Sequence, residues 1–245
     1  MAKTWGRDAG VVIPQQNIHA QSLTQLHKLG ERLVLGERVF HYAEAGSTAL
    51  IPGVLQQSPV PVADHTGLAV TTVVAGLSQV TLTNGNTTAL VKNDHADGYL
   101  WADTGICVGH TYKIKSHPAA LVDATCVFTL YDELVETLTN AQETISLVKC
   151  PYKELIVSPS VATAHVAGVA PIDVTGDYFF WLQTWGPCSV LTEGNVLISD
   201  HVAVGDGSVD GTVQAADTDT EVIVGDVLRV ESDTEYSLIY LKIAP

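Results

Sequence analysis

The stretch Asp206-Gly-Ser-Val-Asp-Gly211, with Asp217 eleven positions after Asp206, has the spacing of an oxygen-ligand metal loop. It follows D-x-[DNS]-x-D-G-x5-[DE], in which Asp206, Ser208, Asp210 and Asp217 would surround calcium at a turn made by Gly211. Neither flank has a helical pattern, so the loop is no EF-hand. The competing expectation is an acidic, solvated hairpin loop and no cofactor. A second stretch, Asn93-Asp-His-Ala-Asp-Gly98, begins alike but places Thr104 where the twelfth-position carboxylate belongs, and it reads as a turn.

The other residues able to do chemistry do not fall into reactive spacings. Nine histidines include no HxxxH or HExxH pair, and His110 and His117 flank one strand at an odd offset that sends them to opposite faces. They read as scattered core or surface side chains. No G-x-S-x-G elbow, P-loop or GxGxxG is present. The acid pairs Asp132/Glu133 and Asp173/Asp177 are of the type a glycosidase uses, yet both fall in turn-like sequence. Cys107, Cys126, Cys150 and Cys188 are spaced 19, 24 and 38 apart without a CxxC, which points to buried free thiols. Tyr178, Trp181, Trp185 and Trp101 could stack on sugars, although aromatic side chains more often fill cores and interfaces. The expectation is a protein that is not an enzyme.

Composition narrows the partners. The 245 residues are 46% hydrophobic and 16% charged, with a net charge of −15. Residues 187–245 hold eleven acidic and two basic side chains, which accounts for −9 of that total. Phosphate backbones and anionic membranes both select clustered Lys and Arg, so neither nucleic acid nor membrane is an expected partner. No apolar run approaches the ~20 residues of a membrane span, and the first ten residues lack a signal-peptide core. These features lead us to expect a soluble protein made in the cytoplasm.

The elements that would carry these residues are strands. Gly176-Asp-Tyr-Phe-Phe-Trp-Leu-Gln-Thr-Trp-Gly186 is apolar on both faces, with Tyr178, Phe180 and Leu182 on one and Phe179 and Trp181 on the other. It must be covered twice, by a facing sheet, by the N-terminal segment or by another subunit. Glu235–Ile243 has the same character and is expected beside it in one sheet. Short strands recur along the chain, including Leu68–Val74, Gln79–Thr83, His110–Ser116 and Thr125–Tyr131, and Asn84-Gly85 signals a hairpin returning through Thr87–Lys92. Residues 1–30 read as an arm, with a short strand at Val11-Val-Ile13 and a helix from Ile18 to Leu29 showing Leu23, Leu26 and Leu29 on one side. Pro-rich Ser58–Val62 reads as a linker. The fold class is therefore all-β, an antiparallel sandwich or barrel. Its expected organisation is an N-terminal arm and linker over 1–60, a first β domain over 61–150 and an acidic second β domain over 151–245.

Three stretches together resemble a family of virion structural proteins of tailed bacteriophages. They are Lys28-Leu-Gly30 leading to Glu37-Arg-Val-Phe-His-Tyr-Ala-Glu-Ala-Gly46 and Ala49-Leu-Ile-Pro-Gly53; Gly109-His-Thr-Tyr-Lys-Ile-Lys-Ser-His-Pro-Ala119; and Leu147-Val-Lys-Cys-Pro-Tyr152 with Trp181-Leu-Gln-Thr-Trp-Gly-Pro187. The likeness runs from residue 28 to the C-terminal strand. It implies a head-associated decoration, cement or minor capsid protein, located in the virion and bound to the major capsid protein. It also implies a homo-oligomer, for which a trimer fits quasi-threefold sites. Interface contacts are expected at Phe179, Trp181, Trp185, Leu23 and Leu26. The alternatives are a receptor- or glycan-binding head-fibre or tail module using Trp181 and Trp185, and a carboxylate-dependent hydrolase.

Overall fold

The computed structural model describes residues 16–140, 142–217 and 221–245. Strands in the first part are β1 (Arg32–Leu35), β2 (Arg38–Glu44), β3 (Leu55–Gln57), β4 (Leu68–Ala69), β5 (Gln79–Thr83), β6 (Tyr99–Ala102), β7 (Thr111–Ser116), β8 (Thr125–Leu130) and β9 (Thr144–Val148). The rest are β10 (Ile156–Val157), β11 (Val166–Val169), β12 (Phe179–Leu191), β13 (His201–Val204), β14 (Val213–Ala215), β15 (Ile223–Arg229) and β16 (Tyr236–Lys242). A 3-10 turn at Ala63–His65 is the one helical element among the described residues, and no helix there is long and apolar enough to cross a membrane. The protein is all-β and antiparallel, and it forms two compact units.

Residues 60–150 are one unit, a six-stranded sheet in the order β4-β9-β6-β7-β8-β5. A bridge between Val70, just past β4, and Leu82 of β5 brings the two ends together, so the sheet is a nearly closed barrel. Period-two patterning drives it. Tyr112 and Ile114 point inward from β7, as do Cys126, Phe128 and Leu130 from β8, while Thr111, Lys113 and Lys115 stay outside. Burial of each such large side chain contributes roughly 1.5–3 kcal/mol.

The Asn84-Gly85 hairpin does not form. β5 pairs with β8, not with Thr87–Lys92. Side chains hold the chain after β5 in a wide loop: Asn84 Nδ2 donates to the Thr88 and Leu121 carbonyls at 2.8 and 3.2 Å, and Asp64 accepts the Thr87 and Thr88 amides at 2.9 Å each. Those bonds occupy groups a tight hairpin ladder would use.

A second loop pair depends on buried Glu143, whose carboxylate accepts the Thr139 amide at 2.7 Å and the Ile106 amide at 3.1 Å. Hydrogen bonds from Thr139, led by its hydroxyl, hold this carboxyl below its ordinary value of 4.5. A depressed acid contributes stability above its unfolded pKa and loses it as pH falls through the folded one. Glu143→Gln is therefore expected to lower the urea midpoint at neutral pH, and the deficit should vanish in strong acid, where the parent carboxyl is itself protonated.

The second unit joins the described residues up to Pro59 with Pro151–Pro245. Its strands run β10-β3-β11-β12-β16-β15-β13-β14, with β2 also on β12 and β1 on β2. β12 is the axis: its first half pairs with β2 and its second half with β16. Two cores lie along it. Ala43, Leu155, Val174, Phe180 and Leu182 form one; Val190, Val202, Val224, Ile239 and Leu241 belong to the other.

Several expectations for this unit are corrected. β1, β2 and β3 are built into the sheet, so residues 32–57 belong to it and not to an arm. The Val11–Ile13 strand falls outside the described residues. No helix forms over 18–29: Asn17 Oδ1 accepts the His19 amide and Ser22 Oγ the Thr24 amide, local bonds that compete with helical ones. β15 runs unbroken over Ile223–Arg229, with a bulge on its pairing to β16. Glu235–Ile243 does lie beside the aromatic strand, but Tyr236 and Leu238 on its outer face are exposed, so the described residues cover it on one side only.

Candidate functional site

The two halves of β12 differ in what covers their second face. In the first half Phe180 and Leu182 enter the core, and Trp181 points the other way, yet only 1% of it is exposed. Residues 16–29 form the cover. The Trp181 Nε1–H donates to the Gln16 carbonyl at 2.9 Å, and the Tyr42 hydroxyl donates to Gln16 Oε1 at 2.8 Å. Gln16 Nε2 donates to the Phe179 and Ala20 carbonyls at 2.9 and 2.8 Å. The His27 ring lies 5.0 Å from Tyr42 and 5.1 Å from Trp181.

Trp181 is therefore an internal residue of its unit and not an interface anchor. Phe179, half-buried, lies parallel to Tyr42 at 6.1 Å. Leu23 and Leu26 are exposed, without a helix to align them. The sugar platform loses its central ring, because Trp181 is enclosed.

The second half of β12 presents an outer face. Alternation turns Cys188 and Val190 inward with Ile239 and Leu241 of β16. Outward go Trp185, Pro187, Ser189 and Leu191, paired in register with Lys242, Tyr240, Leu238 and Tyr236. The Trp185 and Tyr240 rings meet edge to face at 6.1 Å and 82°. Leu238 and Tyr236 are 40% and 44% exposed, so an apolar, aromatic strip lies open on this sheet. Inward-facing Cys188 is pushed up to about 12 by burial, which makes its thiol unreactive.

A polar cluster closes one end of the strip. Asp226, opposite Tyr240, bonds Lys242 Nζ and lies 2.7 Å from His201 Nδ1. Burial alone would raise the Asp226 carboxyl, but the bonds from Lys242 and His201 outweigh it and keep it below the ordinary range. Sequence inspection did not single out this trio. Its residues come from β13, β15 and β16, and their register is set by long-range pairing.

Beyond His201 is a depression of about 630 Å³ lined by Asp200, His201, Asp217, Glu221 and Ile223. The charge of Glu221 raises the Asp217 carboxyl. The other three calcium-pattern residues are exposed, and Asp210 Oδ1 is taken by the Ser160 amide at 3.0 Å. Glu193, not the motif, organises the loop, accepting the Ser208 amide at 3.0 Å and the Thr212 hydroxyl at 3.1 Å. Gly211 ties the loop to the core, donating to the Ser158 carbonyl at 2.7 Å and accepting the Leu55 amide at 2.8 Å. Among the described residues no three His, Cys, Asp or Glu side chains gather as a metal site.

The acids Asp132, Glu133, Asp173 and Asp177 are exposed, and each pair belongs to a different unit. The outer strip with its flanking ion cluster can bind a surface by shape, apolar contact and charge. No protein-family model, no curated protein and no solved structure matches the chain.

Proposed function

We propose that this chain is a virion structural protein, of decoration, cement or minor head type, that docks on the bacteriophage capsid through the outer β12–β16 face. The observation that carries the reading is the open strip of Trp185, Pro187, Leu191, Tyr236, Leu238 and Tyr240 on a sheet whose inner face is fully packed. Aromatic anchors of this kind are typical centres of protein interfaces. The resemblance of Glu37–Gly46, Gly109–Ala119 and Trp181–Pro187 to tailed-phage structural proteins supplies the partner: the major capsid protein, with further copies of this chain. The mechanism is mechanical, since bound subunits that span neighbouring capsid proteins hold the shell by many weak contacts.

Cosedimentation with capsids assembled without this protein tests it. Loss of one buried aromatic or leucine anchor costs about 2 kcal/mol, or roughly 30-fold in affinity. Leu238→Glu and Trp185→Ser are each expected to weaken binding by about that factor, because an open strip tolerates polar residues without unfolding. Binding equal to the parent's in both variants, with melting unchanged, would remove the strip from the interface.

A further inference from the structure

Three histidines distant in sequence, His65, His95 and His117, meet inside the 60–150 unit, and none is more than 3% exposed. The His65 and His95 ring centroids are 4.9 Å apart, those of His95 and His117 are 5.7 Å apart, and His117 stacks on Phe128 at 4.7 Å. Hydrogen-bond partners assign the His117 tautomer. Its Nδ1 lies 2.9 Å from the Pro118 carbonyl and so carries the proton, which leaves Nε2 to accept the His95 amide at 3.0 Å. A second proton on His117 would break that bond.

The other two rings are less satisfied. Nδ1 of His95 is buried without a hydrogen-bond partner, and the ring nitrogens of His65 are buried with no partner beyond the Thr88 backbone. Buried, unpaired polar atoms are uncommon, and neutral imidazole is the least costly form to leave there. The charged groups facing the cluster are Asp64, Asp94 and Lys149, with Asp94 bound to Lys149 Nζ at 2.9 Å. Attraction from the two acids is set against Lys149 and the neighbouring imidazoles, and burial dominates both.

The cluster joins three pieces of chain: the 3-10 turn at Ala63–His65, the 93–98 loop and the end of β7. Asn93 donates to the His117 carbonyl at 3.1 Å, and its side-chain oxygen accepts the His117 amide at 3.0 Å. The same loop exchanges bonds with β7 through Asp97 N to Ile114 O and Ile114 N to Gly98 O, both 2.9 Å. Whatever parts the imidazoles also frees this side of the barrel.

We propose that His65, His95 and His117 form a proton-operated catch: neutral imidazoles hold the 63–65 turn and the 93–98 loop on the barrel, and mildly acidic solution releases them. Burial holds His95 near 3 and His65 below its ordinary 6.5. An unfolded imidazole takes its proton near 6.5, so below that value the open chain binds more protons than the closed one. Stability of the catch is complete above the unfolded value and declines as pH falls beneath it, with the open-to-closed ratio rising up to ~tenfold per pH unit for each histidine. Asp64, Asp103 and Glu143 are all held below their ordinary values and remain charged through this window, so they do not produce the effect.

His41 in the other unit is also lowered, to about 4, so the readout must be local. Amide hydrogen exchange of the full chain, corrected for intrinsic rates, is compared at about pH 7 and about pH 5, on either side of the imidazole range. Peptides covering 60–68 and 90–100 are expected to lose at least ~tenfold protection at the lower pH. A His65→Phe, His95→Phe double variant removes two of the three titrating rings and leaves the His95 amide in place to meet His117, so its loss of protection should be clearly smaller than the parent's. An equal loss in that variant, or no loss in the parent, would overturn the catch. NMR titration of the parent's imidazole protons is independent of the variant's folding: three rings that stay neutral in the folded state support the proposal, and a folded-state midpoint near 6.5 for these rings overturns it.

Discussion

Replacing Trp181 with alanine is expected to cost about 3–5 kcal/mol, the range for emptying a fully packed aromatic site. Trp181 is 1% exposed and lies under residues 16–29, with His27 and Tyr42 against its ring. The substitution also leaves the Gln16 carbonyl without the indole donor it now meets at 2.9 Å. Gln16 is the joint of this cover, since the same residue bonds Tyr42 and the Phe179 carbonyl, so loosening it spreads to the β2–β12 edge. Trp181→Phe separates the two contributions: it keeps most of the packing and loses the N–H donor, for about 1–2 kcal/mol. Urea unfolding followed by far-UV circular dichroism reads both variants. A Trp181→Ala loss below about 1 kcal/mol would mean that the 16–29 segment does not enclose the indole in solution. The same packing predicts that removing residues 1–35 destabilises the unit itself, because it strips the cover from Trp181 and deletes β1. A binding test on that truncation would therefore report folding more than docking.

The strands were legible because their patterning is local. Tyr112 and Ile114 alternate with charged neighbours on β7, and the double apolarity of Phe179–Leu182 correctly demanded two covers. Which segment supplies a cover is a long-range fact. The N-terminal segment was one of three options for Trp181, and nothing in its own sequence shows that Gln16 would be the contact. Local signals also misled where side chains competed with the backbone. Asn84-Gly85 has hairpin residues, but Asn84 and Asp64 direct that loop elsewhere, and Asn17 and Ser22 replace the 18–29 helix with turns. The calcium spacing around Asp206 places polar residues in a loop whose hydrogen bonds come instead from Glu193 and Ser160, 15 and 50 positions by chain from the residues they bond. The histidine cluster carries no sequence signal, because His65, His95 and His117 are brought together only when the barrel closes.

Gly186→Ala is expected to cost about 3 kcal/mol, the sum of a left-handed backbone penalty of about 1–2 and a steric conflict of about 1–3. Gly186 has φ +85°, and a Cβ there would come 2.5 Å from the Glu37 carbonyl oxygen and 3.1 Å from the Arg38 Cα. Both neighbours are backbone and cannot rotate away. The position is where β12 changes partners: pairing with β2 ends at Trp185 opposite Val39 after a register shift, and pairing with β16 begins at Trp185 opposite Lys242. Surrounding bonds fix the crossover, since Gln183 Nε2 donates to the Pro187 carbonyl at 2.8 Å and the Thr184 hydroxyl to the Ala244 carbonyl at 2.6 Å. Gly36→Ala is the control. Gly36 also has a positive φ, +64°, but nothing lies within 4 Å of its missing Cβ, so only the backbone penalty of about 1–2 kcal/mol applies. Equilibrium urea unfolding of the two variants isolates the close approach as their difference. Equal losses would show that the strand can shift to admit a methyl group at the crossover. A larger loss at Gly186 would show that the outer strip of Trp185, Pro187 and Leu191 takes its alignment from this one crowded joint.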